Sequence, residues 1–147
     1  MPKRKPRDTT YINTDFDLKS HSPFDSLCAE LASSCTVLHY TFGDDGNWHS
    51  IVESFYPEDD YTYPRTAAMD IRLILQALAG LSEQARMEFD NCSMREFNIG
   101  FDCWDTWSYV HSLPVEIIRD MAHLSCTLAV TLYPARDPDG KTKEPTR

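Results

Sequence analysis

Cys35-Thr36-Val37-Leu38-His39-Tyr40-Thr41-Phe42-Gly43-Asp44-Asp45-Gly46-Asn47-Trp48-His49-Ser50-Ile51-Val52-Glu53-Ser54-Phe55-Tyr56 is the stretch that decides the fold class. Two runs rich in β-branched and aromatic residues flank a cluster of glycine, aspartate and asparagine, the composition of strands joined by a tight turn. A type I turn that ends with Gly46 in the left-handed region suits the loop. That geometry sets Phe42 opposite Trp48 and Leu38 opposite Val52 on an apolar face. Thr41, His39, His49 and Ile51 then share the other face.

Helical patterns lie on both sides of this hairpin. Pro64 to Gly80 carries Ala67, Ala68, Ile71, Ile74, Leu75 and Leu78 at helical spacing, with Gly80 as the stop. Ser82 caps a shorter helix that runs to about Asp90. Towards the N-terminus, Thr9 to Leu18 alternates as a strand through Ile12, Thr14, Phe16 and Leu18. Ser22-Pro23-Phe24-Asp25 then reads as a helix start, with Ser22 as cap, Pro23 at the first helical position and Asp25 as the capping-box acid. Leu27, Cys28 and Leu31 form its buried stripe.

In the C-terminal half, Arg95 to Phe101 and Thr106 to His111 read as a second hairpin, with Phe97, Ile99 and Phe101 facing His111, Tyr109 and Trp107. Pro114 opens a last helix with Ile117, Ile118 and Met121 on its apolar stripe, and Thr127 to Tyr133 is a β-prone final strand. The expected class is therefore α+β: a largely antiparallel sheet with helices packed on one face. Pro23 precedes Cys35, and Pro114 precedes Cys126, by the same interval, and Ser34-Cys35-Thr36-Val37 aligns with Ser125-Cys126-Thr127-Leu128. That match suggests a duplicated β-α-β unit around one long helix.

Three segments also carry a resemblance: Thr14-Asp15-Phe16-Asp17-Leu18, Phe97-Asn98-Ile99-Gly100 and Leu128-Ala129-Val130-Thr131-Leu132-Tyr133-Pro134. With them the chain resembles an uncharacterised family of small bacterial domains. The resemblance implies a bacterial α+β domain without an assigned activity, and no catalytic residue comes with it.

At 147 residues the chain fits one domain, and no apolar run approaches the length of a membrane span. Residues 1–8 hold Lys3, Arg4, Lys5 and Arg7 against Asp8, a basic tail expected to be disordered. Residues 136–147 carry two prolines, a glycine and no apolar periodicity, and read as a second disordered tail. Between them the domain, 9–135, holds six Lys or Arg against nineteen Asp or Glu, while the whole chain is at −9. So acidic a body repels phosphate backbones and favours a basic protein partner over nucleic acid or a membrane. Cys28, Cys35, Cys92, Cys103 and Cys126 make an odd set without a CxxC pair. Free thiols in a reducing, cytoplasmic setting follow.

The usual catalytic patterns are missing from the sequence. No glycine-rich loop follows a strand, so nucleotide chemistry is not indicated. Asp44-Asp45-Gly46-Asn47 lacks the alternating oxygens and distal glutamate of a calcium loop, and only His39 and His49 pair at useful spacing for a metal. No cofactor, metal or catalytic residue is expected. The most distinctive stretch is Tyr56-Pro57-Glu58-Asp59-Asp60-Tyr61-Thr62-Tyr63, where rigid aromatic contact area brackets steering carboxylates. Tyr56, Glu58, Asp59, Asp60, Tyr61 and Tyr63, extended by Trp104 and Asp105, are the expected partner-binding residues. The function this favours is a non-catalytic protein-binding domain, such as an immunity-type protein for a basic toxin. A small enzyme with an unrecognised site and a homodimeric structural domain remain as alternatives.

Overall fold

In the computed structural model, which describes residues 8–55, 65–104 and 108–134, the central strand is β1 (Thr10–Ser20). Thr14, Phe16, Leu18 and Ser20 are buried, while Asn13, Asp15, Asp17 and Lys19 alternate with them and stay half-exposed. That period of two gives the sheet one packed and one open face. β3 (Trp48–Ser54) and β4 (Met94–Asp102) flank β1, both antiparallel to it. β2 (Cys35–Phe42) lies antiparallel outside β3, and β5 (Thr127–Tyr133) lies parallel outside β4. The sheet order is β2-β3-β1-β4-β5.

The connections are helical: α1 (Asp25–Leu31), α2 (Ala67–Ala79), α3 (Glu83–Asp90) and α4 (Val115–His123). Strands β1 to β4, with α1 after β1 and α2-α3 after β3, have the split β-α-β topology of ferredoxin-like domains. The α4-β5 unit extends it by one parallel strand. The class is α+β, as the sequence implies. The duplication is not seen. β1 and β2 are parallel but have β3 inserted between them, whereas β4 and β5 are direct neighbours. Ser125 ends α4 with a φ of 55°, and its counterpart Ser34 has no such conformation.

One core joins the helices to the sheet. Phe16 and Phe97 stack at 4.4 Å between centroids on the two central strands. Leu27 and Leu31 of α1, Ile71, Ile74 and Leu78 of α2, Phe89 of α3 and Ile117 of α4 close over them. Each such side chain contributes roughly 1.5–3 kcal/mol through burial. Within this apolar layer sits Asp70, 0% exposed. It accepts from Ser54 Oγ at 2.7 Å and from the Tyr11 hydroxyl, and Arg65 approaches at 3.5 Å. Tyr11 in turn meets Thr14 Oγ1 at 2.8 Å. α2 is thereby tied to β1 and β3 by a buried carboxylate with paired oxygens.

α1 and α3 cap each other. The backbone N–H groups of Ser26 and Leu27, unpaired at the start of α1, donate to Glu88 Oε1 of α3 at 3.0 and 3.2 Å. At the start of α3, Ser82 N and Oγ donate to the two carboxylate oxygens of Glu30 at 2.8 and 2.5 Å. Each helix thus places an acid at the positive end of the other.

Several expectations need correction. Ser22 does not cap α1: Phe24 holds the cap position without a side-chain bond, because Glu88 satisfies those donors instead. Leu38 is not opposite Val52. A one-residue irregularity pairs Val37 with Val52 and His39 with Ile51, leaving Leu38 48% exposed. The turn itself is as expected, with Gly46 at φ 79° and Phe42 paired to Trp48. α2 begins at Ala67 rather than Pro64, with Thr66 accepting from Met69 N at 3.2 Å. Ile118 lies on the outer side of α4. The second hairpin is absent among the described residues, since β4 already has β1 on one edge and β5 on the other. Tyr109 and His111 instead set their rings against Phe101, at 5.2 and 5.1 Å.

Two stability measurements check this account. Asp70→Ala removes the buried acceptor shared by the Tyr11 and Ser54 hydroxyls and should cost about 3 kcal/mol in denaturant unfolding. Glu88→Ala should cost about 1 kcal/mol, as loss of a helix cap does. A loss below a few tenths in either variant contradicts the assigned role.

Candidate functional site

Most of the expected partner-binding residues, Tyr56, Glu58, Asp59, Asp60, Tyr61, Tyr63 and Asp105, lie outside the described residues. Trp104 is described: it follows β4 and is partly buried. The structure brings together a different acidic group, on the face of the sheet away from the helices. Register places Asp15 directly opposite Glu53 of β3, and Asp17 directly opposite Glu96 of β4. Four carboxylates thereby form a diagonal stripe over the three central strands. Like charges directly opposite one another disfavour a sheet.

Partial burial and crowding leave a mark on these acids. Loss of solvent, a hydrogen bond with the Glu53 carboxyl and the Glu53 charge push Asp15 up to about 7. Loss of solvent and then the Glu96 charge raise Asp17 as well. Asn13 Nδ2 bridges the first pair, donating to Asp15 Oδ1 at 3.2 Å and Glu53 Oε1 at 3.0 Å. Thr127 Oγ1 donates to Glu96 Oε2 at 3.0 Å, and Thr131 Oγ1 to Asn98 Oδ1 at 2.8 Å. Gly100 forms the floor between them. A Cβ there would stand 3.1 Å from Asn13 Oδ1 and 3.5 Å from the Tyr133 ring, so a side chain would crowd the asparagine that holds the acids.

Other candidate chemistry is placed elsewhere. His39 and His49 share the open face, but His49 Nε2 meets Asp45 at 2.9 Å. That hydrogen bond holds the Asp45 carboxyl down at about 2. Among the described residues no three His, Cys, Asp or Glu side chains converge as a metal site. All five cysteines are free. Burial raises the thiols of Cys28 and Cys126 to about 11 and that of Cys92 to about 12, which removes the thiolate a nucleophile needs. A groove of about 590 Å³ among α2, α3 and α4 sets Arg72 and Arg86 beside Glu116 and Asp120, a lining of both charge signs. Among the described residues no helix is long and apolar enough to cross a membrane.

No family model, curated protein or solved structure matches this chain.

Sequence reasoning missed the stripe because its pairs join strands far apart in the chain. Asp15 and Asp17 are visible as alternating acids in Thr14-Asp15-Phe16-Asp17-Leu18, but their partners depend on register. Asp70 had a local signal: it occupies an inward position of the α2 stripe, between Ala67 and Ile71.

The stripe has a pH signature. The folded state holds the Asp15 proton more tightly than the unfolded chain, whose value is near 3.8. The stability it adds is complete below that pH and is lost as pH rises through about 7. Asp15→Asn should remove this decline, so the variant melts higher than wild type above neutrality and equally in acid. Screening at this half-exposed position keeps the gain below about 1 kcal/mol. A variant that melts lower than wild type at alkaline pH contradicts the repulsive pairing.

Proposed function

We propose that this chain is a non-catalytic protein-binding domain whose basic partner docks on the open face of the sheet. The observation that carries the reading is the pair of directly opposed acids, Asp15 with Glu53 and Asp17 with Glu96. An arrangement that weakens the sheet by itself is the kind of local conflict expected at a functional surface. A partner Arg or Lys set between such carboxylates would relieve the repulsion and displace the shared proton. Arg suits the geometry best, because its planar fork meets two carboxylates at once. Neutralising a basic toxin, as an immunity-type protein does, is the specific role we place within this class. Glu58, Asp59 and Asp60 belong to the proposal as charges that steer the encounter.

Affinity capture from lysate of the source cell tests it. Wild type is compared with a variant carrying Asp15→Asn, Asp17→Asn, Glu53→Gln and Glu96→Gln, and with a control that neutralises Glu83, Asp90 and Asp120 on the helices. A basic protein should be retained by wild type and by the control but not by the sheet-face variant. Its affinity should rise as pH increases through about 7, where Asp15 loses its proton, and fall with added salt. Equal retention by all three proteins would remove the open face from the site.

A further inference from the structure

Much of the exposed apolar surface belongs to β5, to α4 and to the segment that leads into α4. Tyr109, Val110, Val115, Ile118, Leu128, Val130, Leu132 and Tyr133 make up eight of the thirteen exposed large hydrophobic residues among those described. β5 is the centre of this region. On the helix side of the sheet Leu128, Val130 and Leu132 continue the row begun by Phe97, Ile99 and Phe101, yet they are 46, 54 and 61% exposed. They border an apolar trough of about 240 Å³ whose far wall is Tyr109, His111 and Leu113. α4 leans on α2 and leaves this strip uncovered.

β5 is also the end of the sheet. Cys103 N donates to the carbonyl of Tyr133 at 2.8 Å, so the backbone of Tyr133 points towards β4. Strand alternation then turns the backbone groups of Leu128, Val130 and Leu132 to the outer edge. Among the described residues nothing pairs with that edge. The usual protections are missing from it: Thr127 to Tyr133 contains no Lys, Arg, Asp, Glu or Pro, and no irregularity interrupts its pairing with β4. The opposite edge, β2, is interrupted at Leu38.

We infer that β5 is a homodimer interface, at which two copies pair antiparallel about a two-fold axis through Val130. The strand is self-complementary in that arrangement. Val130 meets Val130 of the second copy, and Leu128 meets Leu132. Ala129 meets Thr131 on the open face. The residues whose backbone groups face outward are the ones this register hydrogen-bonds. A second copy fits better than the chain's own ends. Residues 1–7 and 135–147 contain no Val, Leu, Ile, Phe, Tyr or Trp, and so cannot cover an apolar row. Two chains of net charge −9 repel over most of their surface, and this uncharged strip is where close approach is least opposed. An isologous contact closes on itself, whereas pairing of β5 with β2 would propagate into filaments.

Sedimentation equilibrium of the full chain at micromolar concentration tests the inference independently of any basic partner. Wild type should have twice the 16.9 kDa chain mass, with a melting temperature that rises with concentration. Val130→Lys places two ammonium groups together at the axis and should return the mass to 16.9 kDa with an unchanged circular dichroism spectrum. Leu132→Glu should do the same, and Leu38→Lys on the other edge should leave the dimer intact. A wild-type protein that stays at one chain mass overturns the interface, as does a folded Val130→Lys protein that remains dimeric. A mass that grows without limit supports head-to-tail pairing and also overturns it.

Discussion

Asp70 lies on the stripe of α2 that points into the core, where a leucine would bury more apolar surface and need no partners. A carboxylate can occupy that place only if its oxygens are met from the sheet, and Ser54 on β3 and Tyr11 on β1 meet them. The requirement is directional in a way that packing of Ile71, Ile74 and Leu78 is not. A slide of α2 by one turn would keep most of the apolar burial and leave several polar groups unsatisfied. The bond network therefore selects one seating of the helical layer, and hydrophobic burial supplies most of its strength. The reciprocal caps of Glu30 and Glu88 do the same for α1 against α3. Here each helix contributes a carboxylate acceptor to the start of the other, so those donors are met only when the two lie side by side.

Once the helices are held on one side, the other side of the sheet is committed to solvent. Its residues are free of packing demands and can be chosen for chemistry. Lys19 is the only cation on the open face of β1, and the positions beside it carry Asp15 and Asp17. Cross-strand pairs on such a face ordinarily combine opposite charges, which favours the sheet by a few tenths of a kcal/mol to about 1. Asp15 with Glu53 and Asp17 with Glu96 reverse that sign. With its carboxyl raised to about 7, Asp15 is only partly charged near neutrality, which softens the conflict without abolishing it, and an incoming cation would displace the proton that remains. In the proposed reading, a basic partner would recover part of the stability that this repulsion costs the free protein.

The parts of this fold that were legible in the sequence are those fixed by neighbours in the chain. Gly46 had to be the left-handed residue of its turn, the α2 stripe had only one face to bury, and Ser82 had no other helix to cap. What was hidden depends on contacts between distant segments. Glu88, more than fifty residues beyond α1, supplies the cap that the local pattern assigns to Ser22. The irregularity at Leu38 shifts one register that alternation alone would have kept. The partner of β4 could not be chosen locally, since residues 106–111 and 127–133 are both β-prone. A helix between β4 and β5 makes parallel pairing feasible, and that pairing places the apolar row of β5 at the rim. The open-face acids follow the same rule: each is visible singly, and only the register of β1 with β3 and β4 makes pairs of them.

The two surfaces are geometrically independent, because one is a face of the sheet and the other its edge. In the inferred dimer they would nonetheless be coupled through symmetry. Antiparallel pairing about Val130 has its two-fold axis perpendicular to the sheet, so the helices of both copies fall on one side and both acidic stripes on the other. Side chains alternate without interruption across such a join, and Ala129, Thr131 and Tyr133 of each copy would floor the ground between the stripes. A basic partner with two cationic segments could then engage both copies, the second contact occurring at the high effective concentration that the first imposes. A single stripe of half-exposed carboxylates is a modest anchor, since each exposed ion pair adds at most about 1 kcal/mol. Doubling it on a rigid continuous sheet raises the avidity without any stronger individual contact, and it requires no further stabilising residue on the open face itself.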